Sequence, residues 1–220
     1  MKKKSVDIAQ NIHHALNLNG NPESVAQHYD QWANTYDQEV IENYYGIQTI
    51  VRLAHKHVQS STLSSKKNPA DIQVVDVGCG TGLLGAPLHK LGYTNIDGID
   101  LSAQMIEKAK ATGLYNELHS HVNINNEIPS EFIQRYDIAI CLGVFTPGHV
   151  NPTALHQLIS MTRQGGLVVI STRVPYYDST AYQAESDLAV TTGSVTLSEQ
   201  WMDAPYRDDG DAHYWVYTTC

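Results

Sequence analysis

Along residues 21–40, "NPESVAQHYDQWANTYDQEV", the apolar positions Val25, Tyr29, Trp32, Tyr36 and Val40 recur at spacings of four, three, four and four. Residues three and four apart share one face of a helix, so the stretch predicts a single amphipathic stripe. Asn21 is placed to cap it, Pro22 suits the first helical position, and Glu23 lies beside the positive end of the helix dipole. "YGIQTIVRLAHKHV" (45–58) repeats the pattern with Ile47, Ile50, Val51 and Ala54, which extends the predicted helical region over 22–58. The period then stops. "SSTLSSKKNPAD" (60–71) is a Ser/Lys/Pro loop and the clearest break in the chain.

Beyond it, short apolar runs alternate with helical ones. The strands expected are 72–77, 95–100, 118–122, 136–142 and 165–172, with helices over 82–91, 102–112 and 152–163; "NINNEIPSEFIQR" (123–135) is too short and polar for a helix. Strands without polar alternation, separated by helices, signal a parallel sheet covered on both faces. The end changes character, since residues 194–220 read as two strands around "DDGD" (208–211). The expected fold class is α/β, a doubly wound Rossmann-like sheet of five parallel strands closed by a C-terminal antiparallel hairpin.

At 220 residues the chain is one generous domain. Residues 1–20 are read as a solvated, frayed tail and 21–220 as the domain, divided into a helical part (21–58) and a Rossmann-like core (72–220). The basic cluster at the start is followed by Asp7, Gln10 and Asn11 rather than the apolar region of a signal peptide. Three widely spaced cysteines (Cys79, Cys141, Cys220) suit reduced thiols, so a cytoplasmic location is expected. A net charge of −9 argues against bulk nucleic-acid binding, and no apolar run is long enough for a membrane span.

The chemistry concentrates in "VVDVGCGTGLLG" (74–85), where Gly78, Gly80 and Gly82 follow a strand. Such a turn lets a ligand touch backbone at the N-terminus of the next helix. Asp100, twenty residues after Gly80, can accept from a ribose diol or cap the helix after it, a role that Ser102 fills equally well. Leu83 stands where a dinucleotide fingerprint needs its third glycine, which disfavours NAD. His119 and His121 would share a strand face, but no third ligand is spaced to join them, so no metal is expected. His55 and His57, two apart on a helix, do not chelate. "YRDDGD" reads as a solvated turn.

"VVDVGCGTG", "GIDLSAQMIEKAK" and "YDIAICLGVF" resemble the cofactor motifs of class I S-adenosylmethionine (SAM)-dependent methyltransferases. "YDQWANTYDQEV", "KATGLYNELH" and "LGVFTPGHV" are similar to the Williams–Beuren-region methyltransferase-like family. The resemblance, over about residues 22–217, implies methyl transfer from SAM to an unidentified acceptor, a small molecule or protein rather than a nucleobase amine. The alternative is a catalytically silent SAM-binding partner of another enzyme. On these residues, the resemblance implies that Asp76 lies near the cofactor's amino group, with Gly78, Cys79 and Gly80 beneath its methionine and ribose. It puts Asp100 on the ribose hydroxyls, Leu101 and Met105 beside the adenine, and Asn123 and Ile124 at the adenine edge. Leu142 lies at the methionine end and Tyr36 in a helical lid. Acceptor-side candidates are Tyr36, His149, Arg173, Tyr176 and Tyr177. Asn123 stands where relatives commonly carry Asp, and Pro147 where a polar residue is expected.

Overall fold

A computed structural model describes residues 11–65 and 68–220 of the chain. Strands β1 (Val74–Val77), β2 (Ile96–Ile99), β3 (Leu118–His119), β4 (Tyr136–Phe145) and β5 (Thr162–Arg173) are parallel. The long hairpin β6 (Val195–Arg207) and β7 (Gly210–Thr219) adds antiparallel to β5, giving the order β3-β2-β1-β4-β5-β7-β6. Strand order therefore reverses between β1 and β4, where crossovers leave on opposite sides and a crevice opens beyond the strand ends. This is the doubly wound sheet with a closing hairpin that the sequence predicts.

The sheet has a core on each face, which explains why its strands carry no polar alternation. Val74, Leu167 and Val169 pack on one side, and Val75, Val77, Val168 and Ile170 on the other. Helix α4 (Tyr45–Ser60) and α5 (Gly85–Lys90) fill the first layer; α7 (Ala154–Met161) and α9 (Tyr182–Thr191) fill the second. Helix α6 (Ala103–Thr112) packs Ile106 and Ala109 against Cys79. The 123–135 crossover holds only a 3-10 turn (Ser130–Phe132), in keeping with its polar sequence.

Several expectations change. Helix α4 is a core element rather than part of a lid: Ile50, Val51 and Ala54 are buried against the sheet. A helical stripe shows that one face is covered, not by what. The predicted stripe over 25–40 is broken by a turn at 33–35 into α2 (Pro22–Trp32) and α3 (Tyr36–Val40). Strand three shrinks to two residues, because His121 takes a positive φ of 61° just past it. His119 and His121 therefore do not share a strand face. Of the segment read as a frayed tail, residues 1–10 lie outside the described residues, but 11–16 are helical (α1) and Ala15 is buried with Trp32 and Val40.

Helices α1 to α3 form a cover over the crevice, and polar contacts fasten it. Asn21 caps α2 as expected, its Oδ1 accepting from the Ser24 amide at 3.0 Å. Asp30 accepts from the Ser102 hydroxyl at 2.6 Å and the Gln104 amide at 3.1 Å, and Thr81 donates to Asp37. The Gly20 amide donates to the Gly148 carbonyl at 2.9 Å. Gly148 has φ +78°, and a Cβ there would lie 1.9 Å from the Leu18 carbonyl oxygen. Gly148→Ala should thus detach residues 17–20 from the β4–α7 loop. Left-handed backbone costs about 1–2 kcal/mol before the clash is counted. The Gly20 amide should exchange hydrogen roughly tenfold faster or more, with global stability less affected. An unchanged exchange rate at Gly20 would show that this contact does not hold the cover.

Candidate functional site

The crevice is a cleft of about 1160 Å³ including its open mouth, bounded by the ends of β1, β2, β4 and β5 and by α1 to α3. Tyr36, Gly78, Gly80, Asp100, Leu101, Met105, Asn123, Ile124 and Leu142 all line it. Asp76 and Cys79 line a smaller adjoining lobe that shares Tyr36, Gly78, Gly80 and Leu142 as walls.

The glycine loop is fixed by hydrogen bonds from below and the side. The Gly78 and Cys79 amides donate to the Ile99 carbonyl at 2.8 and 3.0 Å. Asp100 Oδ2 accepts from the Gly80 amide and Oδ1 from the Ser102 amide, both at 2.8 Å. Ser102 in turn caps α6 through the Met105 amide, so the capping role left open between the two residues belongs to Ser102. Burial raises the Asp100 carboxyl above its ordinary value, and its backbone hydrogen bonds oppose that shift. Gly78 has to be bare: at φ +71° a Cβ would lie 2.2 Å from Val144 Cγ2.

Asp76 sits in the middle of the sheet, 1% exposed, with its Oδ2 accepting from the Tyr115 hydroxyl at 2.8 Å. Burial lifts its pKa to about 7, against the lowering effect of that hydrogen bond. Cys79 and Cys141 are buried free thiols pushed well above the ordinary range by the same cause, which makes them packing groups rather than nucleophiles. Asn123 folds into a local turn, its Oδ1 accepting from the Asn125 amide at 3.0 Å, which leaves its amide N–H₂ and one lone pair unspent. Pro147 acts through its carbonyl. That oxygen accepts from His149 Nδ1 at 2.9 Å, so Nε2 is the acceptor of the Tyr29 hydroxyl at 2.8 Å. Burial lowers the His149 pKa, which keeps the ring neutral in this arrangement.

Among the acceptor-side candidates, Tyr36, His149 and Arg173 line the cleft and two do not. Tyr176 is buried in the second core layer, packed on Phe145 and Tyr182 with its hydroxyl on the Val150 carbonyl. Tyr177 bonds Gln183 and packs its ring on His213 and Trp215. Both lie on α8 (Val174–Ser179), whose turn carries them behind the wall. Conversely, Arg173 is 8% exposed rather than a surface residue, and the supposedly solvated "YRDDGD" turn puts Tyr206, Arg207 and Asp209 into the cleft. The hairpin is long enough to bring its turn over the strand ends, a reach that turn chemistry alone does not reveal. Tyr44 was missed for the opposite reason, because it falls between helical stripes.

Among the described residues, no group of three or more His, Cys, Asp or Glu is placed to hold a metal ion, and no helix is long and apolar enough to cross a membrane.

The family model described as "Methyltransferase domain" matches residues 45–219. The chain is 31% identical to methyltransferase-like protein 27 of Homo sapiens over 173 residues, covering 79% of this chain and 66% of that protein. It is 32% identical to a ubiquinone biosynthesis O-methyltransferase of Colwellia psychrerythraea, covering 54% of this chain and 48% of that one. The chain thus spans between about half and two thirds of these relatives. Its fold matches a magnesium protoporphyrin IX methyltransferase from Synechocystis with bound SAH, at a TM-score of 0.60 and 16% identity, covering 90% of this chain and 99% of that one. A TehB-like SAM-dependent methyltransferase from Corynebacterium glutamicum superimposes with a TM-score of 0.59 at 17% identity, over 91% of this chain and 100% of that one. With the glycine loop, the strand order and the family match in agreement, this chain belongs to the methyltransferase domain family.

Proposed function

We propose that this chain binds SAM in the cleft and transfers its methyl group to a small acceptor. The observation that carries the reading is Asp100, held at the end of β2 in the wall of the cleft and tied to the Gly80 amide. Each of its oxygens takes one backbone N–H, and each retains a lone pair for a ribose diol. The residues present fit the rest of the cofactor. Gly78 and Gly80 offer bare backbone, Leu101, Met105 and Ile124 offer apolar surface for a purine, and Asn123 keeps its amide for the purine edge. Asp76 supplies a carboxylate for an ammonium in the adjoining lobe.

When bound, SAM supplies an electrophilic methyl on a sulfonium. What the chain contributes is position and dryness. The cover walls one side of the cleft and reduces its contact with water, which strengthens charge interactions inside, and Tyr36 borders both lobes of the site. Burial raises the Tyr29 and Tyr36 hydroxyls well above their ordinary range, so both serve as neutral donors and not as bases.

Titration calorimetry tests the reading directly. SAM and its demethylated product SAH should bind and NAD should not; binding of NAD alone would sink it. Asp100→Ala should weaken SAM by roughly 10- to 100-fold, the worth of charge-assisted hydrogen bonds, and an unchanged affinity would remove Asp100 from the site. Labelled methyl uptake into small-metabolite fractions would establish turnover, whereas binding with no uptake in metabolite, protein or RNA fractions would favour a silent binder.

Asp76 gives a pH signature with two signs. Its native pKa of about 7 exceeds the ordinary 3.8, so the native chain holds a proton that the unfolded chain has lost between those values. Its contribution to stability is therefore present at low pH and is lost as pH rises through about 7. Affinity for the ammonium-bearing cofactor should move the other way, strengthening as Asp76 ionises through the same range. Asp76→Asn should flatten both profiles, read by thermal melts and calorimetry; two unaltered profiles would contradict this role.

A further inference from the structure

Arg173 closes β5 and Asp100 follows β2, three strand spacings or about 14 Å across the sheet. The arginine end of the cleft is built differently from the cofactor end. The Arg173 guanidinium lies over the Tyr206 ring at 4.5 Å, and Arg207 lies over Tyr44 at 5.8 Å. One carboxylate, Asp209, serves both: its Oδ1 is 3.4 Å from Arg173 NH2 and 3.4 Å from Arg207 Nε. The arginine pair carries two positive charges against one paired carboxylate; of the turn's other acids, Asp208 bonds Asn43 and Tyr45, and Asp211 follows at the start of β7.

That charge is incompletely matched. Arg173 is 8% exposed, and its Nε is buried with no hydrogen-bond partner; the Arg207 Nε also lacks a well-formed one. An unsatisfied buried donor on a charged group is costly, and in native proteins it calls for an explanation. Stacking on Tyr206 occupies the face of the guanidinium and leaves its edge for a planar, bidentate acceptor. Tyr36, Tyr44 and Tyr206 supply aromatic walls around it.

We infer that Arg173 and Arg207 form a carboxylate-binding subsite, and that the methyl acceptor is a small organic acid bearing one carboxylate on an aromatic or apolar body. The inference rests on the proposed methyl transfer for the word acceptor; the subsite itself rests only on the arginines.

The probe is benzoate against benzamide, titrated into the chain with SAH present and absent. Benzoate should bind roughly 10- to 100-fold tighter than benzamide, and Arg173→Gln should cut that preference to within about threefold while leaving SAH affinity intact. Should Arg173→Gln fail to fold, Arg207→Gln gives the same reading from a less buried donor. Equal binding of acid and amide, binding of neither, or an acid preference intact in the folded variants would overturn the subsite. An arginine-dependent acid preference without any SAH binding would keep the subsite and overturn methyl transfer instead.

Discussion

The site depends on one carboxylate that faces two ways. Asp100 takes the Gly80 amide with one oxygen and the Ser102 amide with the other, so the glycine loop after β1 and the start of α6 are set relative to each other by a single side chain. Its burial costs solvation, and the charge-assisted hydrogen bonds recover only part of that cost. Around it the backbone has little freedom, because Val144 at the end of β4 fills the space where Gly78 would carry a Cβ. The reversal of strand order between β1 and β4 thus becomes a tightly specified wall rather than a generic crevice.

The cover is attached by different physics. The sheet is held by two apolar layers, whereas α1 to α3 are latched to the core loops mainly by polar groups: Asp30 on Ser102 and Gln104, Asp37 on Thr81, and Tyr29 on His149. Contacts of this kind exchange readily with water and contribute on the order of 1 kcal/mol each. Fewer buried apolar contacts hold the cover than hold the sheet, which places it at the less stable end of the molecule. Asp30 contacts Ser102, which follows Asp100 by two residues, so the cover is tied to the helix cap beside Asp100.

Much of this was legible in the sequence, and the parts that were not share a cause. The strands, their parallel direction and the closing hairpin follow from local period, whereas the residues expected around a cofactor follow from the resemblance of the glycine loop and its neighbouring motifs to a known family. Nine of the eleven predicted cofactor residues line the main cleft, with Asp76 and Cys79 in the lobe beside it. Local patterns were silent about what a helix or turn meets across space. The stripe of α4 looked like the stripe of α2, yet one faces the sheet and the other the cleft. Tyr176 and Tyr177 follow Arg173 closely, but the turn into α8 sends them to the core and leaves only the arginine in the wall. Asp209 reads as solvated because its partner Arg173 stands on β5, 36 residues earlier, and Arg207 because the ring it lies over, Tyr44, comes from the far end of the chain.

The two ends of the cleft therefore differ in what recognises a ligand. The end at the glycine loop is made largely of backbone and of two carboxylates, Asp76 in the adjoining lobe and Asp100 locked to backbone. The opposite end is made of long side chains, Arg173 and Arg207 on tyrosine rings, drawn from β5 and the hairpin turn and facing a cover built from residues 11–44. Local sequence spacing senses the first kind, because the glycines follow β1 directly along the chain. It is insensitive to the second, because the arginine pair forms only when distant segments meet. That meeting holds two guanidiniums and one carboxylate together in a partly buried wall, where an unmatched charge counts for more than it does at the surface.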